Sequence, residues 1–404
     1  MEEDEAVVSG SKLTDYVGSM RATVQVLSWC WKEFVNARAR GFIVHLIFWS
    51  FLGHIVSLSY PFLMGVGIDG LIRHHAATAL AASAFTALAY GAGSMFEWRA
   101  GRLIELTLGE NLMTLERRVN ELFFSKELGL HLEEGGKLTQ ENMEKGVNRF
   151  NSVQHSLLFM GVDSSLSLLL SWSMLTVLSP MASLIVSVAV AGNLLVSLHL
   201  NRFITIAMDP VERRFRALAR RRGERWLGVE RVVTSGRALA EVREMDQEFD
   251  SMLREDRKIW LTYIRGTIPR TILSGLSVTG AGLYAGYQVW AGHMTMASLI
   301  PILTWAGIAS QQMRFLARCE REINWCSPSL KSLQAALTLL TRVSEPAHAV
   351  ELADAPVIVE FDNVCHSYDH ARRHALGHQV DVLAGLSFKI EPGEKVALVG
   401  PSGA

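Results

Sequence analysis

Gly400-Pro401-Ser402-Gly403-Ala404 follows the apolar run Lys395-Val396-Ala397-Leu398-Val399. A short apolar run that enters a glycine-spaced turn has the form of the opening of a phosphate-binding loop. In the complete GxxxxGK[ST] pattern, glycines let backbone N–H groups approach phosphate oxygens, a lysine reaches the outer phosphates and a hydroxyl holds Mg2+. Gly400 stands where the first glycine belongs. The second motif glycine, the lysine and the hydroxyl would fall just past Ala404, so the chain ends inside the loop. Alone, these five residues fit an ordinary Pro-Ser-Gly turn equally well. The elements in front of them decide between the two readings.

Those elements are a membrane bundle. The chain has 404 residues and is 49% hydrophobic and 20% charged, too apolar for an ordinary soluble protein and too charged to lie wholly in lipid. Residues 41–68 and 76–96 contain no Asp, Glu, Lys or Arg, and each covers the roughly 20 residues a helix needs to cross hydrocarbon. Residues 157–201 carry only Asp163, a run too long for one helix, with Ser179-Pro180 breaking it in the middle. Residues 271–313 are uncharged and divided by Ala291-Gly292-His293-Met294-Thr295, a break suited to a tight turn. Six spans are expected, at about 41–64, 76–96, 157–178, 181–201, 271–291 and 295–316.

Charge sets the expected orientation, because Lys and Arg are retained on the cytoplasmic side. The N-terminus opens Met-Glu-Glu-Asp-Glu, without the basic start and early apolar core of a secretory signal. With that end inside, Arg73 alone of the 39 basic residues falls outside. The formal net charge of −1 hides this asymmetry, and nothing in the pattern calls for nucleic acid. Cys30, Cys319, Cys326 and Cys365 have no CxxC or metal-ligand spacing and are read as reduced thiols.

Two inner stretches, about 97–156 and 202–270, are far longer than a connection requires. Leu108, Leu112, Leu115, Val119 and Leu122 place an apolar stripe on a helix continuous with span two, and Val242, Met245, Phe249 and Met252 do the same in the second stretch. Both are read as helix packing rather than ligand sites. Their tips, Gly129 to Leu138 and Gly223 to Gly236, are placed to touch another domain. Residues 1–40 form an N-terminal segment in which Val24 to Phe34, with Trp29, Trp31, Lys32 and Glu33, reads as an interfacial helix; a solvent-facing helix is the alternative. After a linker at 341–356, residues 357–404 change to strand composition at Val357 to Phe361 and Leu386 to Ile390, with a turn at Glu391-Pro392-Gly393-Glu394.

The run VLAGLSFKIEPGEKVALVGPSGA, residues 382–404, preceded by Phe361 and Tyr368, resembles the opening of the nucleotide-binding domain of ATP-binding cassette (ABC) transporters. The segment from Gly41 onward, including Pro61 through Ile68-Asp69-Gly70-Leu71-Ile72, is similar to the exporter-type domain that precedes it. The resemblance implies an all-α membrane protein: a six-helix exporter transmembrane domain with long cytoplasmic helical extensions, followed by the β-rich start of an α/β P-loop domain. It implies that Tyr368 stacks on adenine, that Gly400, Pro401, Ser402, Gly403 and Ala404 begin the phosphate loop, and that the two tips are coupling helices. Asp369 to Asp381 is longer than the family usually has, which puts the position of the aromatic in doubt.

The expected function is ATP-driven export by a half-transporter that dimerises with an identical or related chain, in the cell membrane, with ATP and Mg2+ as cofactors. Its substrate is a small molecule, a lipid or a peptide, and the Leu-, Ser- and Ala-rich spans fit lipid-like cargo. The residues up to Ala404 contain none of the lysine, signature, acidic or switch motifs, so this polypeptide alone is expected not to hydrolyse ATP. The alternative is a motor-less membrane channel, receptor or binding partner. His45, His54, Asp163, Asn193, Gln311 and Gln312 are costly in lipid and are expected to face the bundle interior.

Overall fold

The computed structural model describes residues 13–133, 137–341, 357–366 and 383–399. It divides into two units, Met1–Arg342 and Val343–Ala404.

The first unit is helical. α1 (Leu13–Phe34) leads through Val35 and Asn36 into α2 (Ala37–Ile72), and α3 (Ala76–Phe124) returns beside it. A short α4 (Leu128–Glu133) precedes α5 (Gln140–His155), which runs through a π-helical turn, Ser156–Val162, into α6 (Asp163–Leu178). α7 (Pro180–Leu227), a short α8 (Val229–Thr234), α9 (Ala238–Gly266), α10 (Ile268–Trp290) and α11 (Met296–Leu337) complete it.

By length and composition, four helical stretches among the described residues suffice to cross a membrane: Ala37–Ile72, Ala76–Phe124, Gln140–Leu178 and Pro180–Leu227. The last two uncharged runs form α10 and the first half of α11, and both pack into the same bundle, α10 on α7 and α11 on α2, α6 and α7. α3 and α7, with 49 and 48 residues, are each about 70 Å long at 1.5 Å per residue, more than twice the hydrocarbon thickness. The excess forms the two helical excursions.

The breaks have local causes. Ser179 ends α6 and caps α7, its hydroxyl accepting from the Ala182 amide, while Pro180 occupies the first turn, where its missing N–H costs nothing. Between α10 and α11, Gly292 adopts φ of 76°, which only glycine enters without strain. At the head of α2, Asn36 accepts from the Ala39 amide at 2.8 Å and donates to Glu110 and Thr114 of α3 at 3.0 and 2.9 Å. One side chain thus caps a helix and sets the register of its neighbour.

The core lies in separate layers. Within the apolar zone, Leu58, Leu175, Ala182, Val186, Ala281, Ala285, Ile302, Trp305, Ala306 and Ala309 are buried together. Alanine lets backbones approach closely where no hydrophobic force acts between helices. A second layer joins α1, α3, α5 and the end of α11 through Cys30, Phe34, Leu115, Val119, Phe150, Val153, Leu330 and Leu333. α1 is therefore not free on the surface: Phe34 is fully buried, with Trp29 and Phe150 edge-on at 5.2 and 5.3 Å.

The apolar stripes are only partly as expected. On α3 the buried face runs through Ile104, Thr107, Asn111, Leu115 and Val119, and Leu112 is exposed. A buried hydrogen bond from Asn111 to Gln154 of α5, at 3.3 Å, occupies the place a leucine would take. On α9, Met252 is buried and Met245 half-buried against α7, whereas Val242 and Phe249 are exposed. The α7–α9 pair buries Leu200, Ile204, Met208, Val211 and Leu218 of α7 with Met252 and Tyr263 of α9, and this layer is flanked by ion pairs, Arg214–Glu255 at 2.7 Å, Arg221–Glu248 at 2.9 Å and Arg225–Glu241 at 2.6 Å. Each contributes at most about 1 kcal/mol, so they fix register more than stability.

The second unit contains β1 (Val359–His366) and β2 (Leu383–Ile390), antiparallel, with Phe361 opposite Phe388 and their rings stacked at 4.5 Å. Glu391 to Glu394 closes a turn through Glu394 N–H to Glu391 O at 3.0 Å, with Pro392 second and Gly393 third at φ 82°.

Candidate functional site

Tyr368, Gly400, Pro401, Ser402, Gly403 and Ala404 lie outside the described residues. β1 ends two positions before Tyr368, and Val399 is the last described residue ahead of Gly400.

The polar residues of the spans can be placed. His54 on α2 and Asp163 at the head of α6, 109 positions apart, form a pair with Nε2 to Oδ1 at 3.3 Å. His54 Nδ1 lies 2.9 Å from the Ser50 carbonyl, which can only accept, so Nδ1 carries a hydrogen. The π-turn immediately before Asp163 inserts an extra residue and rotates α6 by about 100° around the helix axis, which aims the carboxylate at α2. Spacing along the sequence carried no signal of this.

Asn193 is buried and donates to Ser274 of α10 at 3.4 Å, a link between helices. Its Oδ1 has no partner, and Gln312 Oε1 is likewise buried without one. Gln311 and His45 are exposed, the latter with Nδ1 on the Gly41 carbonyl at 2.8 Å. The expected interior orientation thus holds for Asn193 and not for His45, Gln311 or Asp163, whose side chain is 55% exposed. Sequence reading overlooked Asn201, fully buried and donating to Glu320 at 2.7 Å, and Arg270, only 6% exposed. Asn201 closes an uncharged run and Arg270 precedes one, positions that read as simple boundary markers.

A cleft of about 590 Å³ opens between α1, α2, the π-turn and α11. Val24, Ile47, Leu157, Leu166 and Leu316 make it apolar, and Glu320 gives it a polar edge. At the tips of the excursions, Leu128 beside α4 and Trp226, Leu227 and Val233 around α8 are exposed, offering apolar contacts to another body.

All four cysteines are free, and among the described residues no group of three or more potential ligands could hold a metal ion. Burial pushes the thiols of Cys30 and Cys326 up from 9.0 to about 12. A maleimide at pH 7.5 is expected to label exposed Cys365 and leave Cys30 and Cys326 unmodified, as peptide mass mapping would read. Unfolded thiols ionise near 9, so between about pH 9 and 12 the unfolded state binds fewer protons and stability falls as pH rises.

This arrangement, paired apolar helices extended into long excursions with short crossing helices at the tips, defines the exporter-type transmembrane fold of ABC transporters. A bacterial Atm1-family ABC exporter solved with ATP bound has the same fold, with a TM-score of 0.71 and 21% identity, the match covering 91% of this chain and 64% of that one. In sequence the chain is similar to parts of ABC exporters. It is 25% identical over 242 residues to the beta-(1→2)glucan export ATP-binding/permease protein NdvA of Nitrobacter winogradskyi, covering 59% of this chain and 37% of that protein. It is 27% identical over 134 residues to the NdvA protein of Rhodopseudomonas palustris (33% and 20% of the two chains) and 27% over 137 residues to the ATM1-type heavy metal exporter of Novosphingobium aromaticivorans (34% and 21%). The aligned segments thus span between about a fifth and two fifths of these relatives. No family model matches.

Proposed function

We propose that this chain is the membrane-spanning part of one half of an ATP-driven exporter. The observation that carries the reading is the extension of α3 and α7 far beyond a bilayer's thickness into apolar-tipped excursions. A channel or receptor needs no such reach, whereas a bundle driven by a separate nucleotide module needs levers of this length. Tyr368 would stack on adenine, and Gly400 to Ala404 would open the loop that cradles the phosphates of Mg2+-ATP. α4 and α8 would seat on nucleotide-binding domains, with the excursions, the N-terminus and the strand unit on the cytoplasmic side. A second half-transporter, identical or related, would complete the path.

ATP bridging two such modules binds one arrangement of the dimer better than the other, and that difference is what shifts the population between inward- and outward-facing states. Lipid-like or amphipathic cargo is supported by the apolar cleft with its polar edge.

The test is export from proteoliposomes made with the purified protein. ATP with Mg2+ should move a fluorescent lipid between leaflets or out of the vesicle, and a non-hydrolysable analogue should not. Equal movement with and without nucleotide would favour a motor-less membrane protein.

A further inference from the structure

We propose that the first turn of α10 and the middle of α11, beside α9, hold a binding site for a phosphate-type anion on an apolar tail, that is, an anionic amphiphile. The assignment of this ligand as cargo rests on the export reading; the binding itself does not.

The site is built on Arg270, in the first turn of α10, which is 6% exposed and whose Nε–H has no partner. The Tyr263 hydroxyl lies against its guanidinium. From α11, Arg321 donates from Nη1 to that same hydroxyl at 2.8 Å and lies over the Tyr263 and Trp260 rings at 5.2 and 5.8 Å. Arg314, seven positions earlier on α11, reaches its own Ser310 carbonyl at 3.4 Å, and both it and Arg321 are near enough to Arg270 to repel it. Among the described residues, none of these three arginines forms an ion pair with a carboxylate.

Two guanidiniums on one phenol, one of them taken out of water with a third near enough to repel it, are unfavourable unless an anion neutralises them. The first turn of α10 adds the positive end of a helix dipole. Phosphate suits the set, because the planar guanidinium fork pairs with it bidentately. Snorkelling to bulk headgroups accounts for a surface arginine at a membrane boundary but not for Arg270, which is enclosed by protein. The uncharged run of α10, 271–290, begins beside the cluster and that of α11, 296–313, ends there, so a tail attached to the bound anion would lie along apolar surface.

Binding to the chain in dodecyl maltoside would be measured by calorimetry with three probes: dodecyl phosphate, inorganic phosphate and dodecylphosphocholine. Dodecyl phosphate should bind saturably and at least about tenfold more tightly than dodecylphosphocholine, and R270Q and R314Q should each weaken it about tenfold or more. Arg314 is exposed, so R314Q tests the site even where R270Q lowers the melting temperature. If inorganic phosphate displaces dodecyl phosphate at similar concentrations, the anion site stands and its source is a soluble phosphate; if only the alkyl ester binds, the source is a lipid-like headgroup. Equal binding of the zwitterionic probe, or affinity unchanged in R314Q and R270Q, would overturn the proposal. No nucleotide is involved, so this failure is separable from failure of ATP-driven export.

Discussion

Phe34→Ala is expected to detach α1 from the bundle and to destabilise the protein by about 3–5 kcal/mol, the range for truncating a buried aromatic. Phe34 has no exposed surface and is gripped between Trp29 of its own helix and Phe150 of α5, so its removal leaves a cavity in a layer that also contains Leu115, Leu330 and Leu333. Polar links to the rest of the bundle remain, Glu33 to Arg118 at 3.1 Å and Thr23 to Ser327 at 2.8 Å, but they are too few to replace the lost burial. Two measurements would register the change: the thermal midpoint in detergent and maleimide labelling of Cys30, one turn before Phe34 and fully buried. Both should move, the midpoint down and the labelling up. A variant that melts like the parent with Cys30 still protected would show that α1 is held by something other than this ring.

Gly65→Ala should also destabilise the protein, by less, although it adds only one methyl group. Gly65 lies in α2 where a Cβ would run into the backbone carbonyl oxygen of Ala297, at the start of α11. Backbone cannot rotate aside as a side chain can, so α2 and α11 must part, and overpacking of this kind costs about 1–3 kcal/mol. The gain in helix propensity from glycine to alanine, up to about 1 kcal/mol, acts the other way and is the smaller term. Gly275→Ala on α10 is the control, since a Cβ there meets nothing within 4 Å, and it should be neutral or mildly stabilising. Parallel melting curves separate the two. Equal midpoints for both alanine variants would mean that the α2–α11 approach is loose.

α11 gives these predictions a common setting. It packs against α1, α2, α5, α6, α7 and α10, so displacement at either end is felt by most of the bundle. Its N-terminal end meets Gly65, its middle carries Arg314 and Arg321, and its C-terminal part holds Leu330 and Leu333 in the layer with Phe34.

Much of the helical plan was legible in the residues because its cause is local. A run of 20 or so uncharged residues must cross or avoid hydrocarbon, a proline at position 180 after a capping serine must start a helix, and Gly292 must turn. The length of the excursions was legible too, as stretches longer than any connection needs. Less visible was the face each helix would bury. The leucine stripe on α3 gave way to a face containing Asn111, which donates to Gln154 of α5 opposite. Phe34, in a segment rich in tryptophan and charge, read as interfacial until α5 was placed over it.

From the amino-acid order alone came the apolar runs of spanning length, the breaks between helices, the basic-residue asymmetry and the strand-turn composition after residue 357, all consequences of hydrophobic length and backbone chemistry within a few neighbours. The tertiary structure decided which polar groups meet. His54 finds Asp163 because a π-turn rotates α6, and Arg270 is enclosed with Tyr263 and Arg321 because α9 and α11 converge on the first turn of α10. Such meetings depend on the rotation of one helix about its axis relative to another, which is set by packing across a hundred or more residues and leaves no periodic trace in the chain.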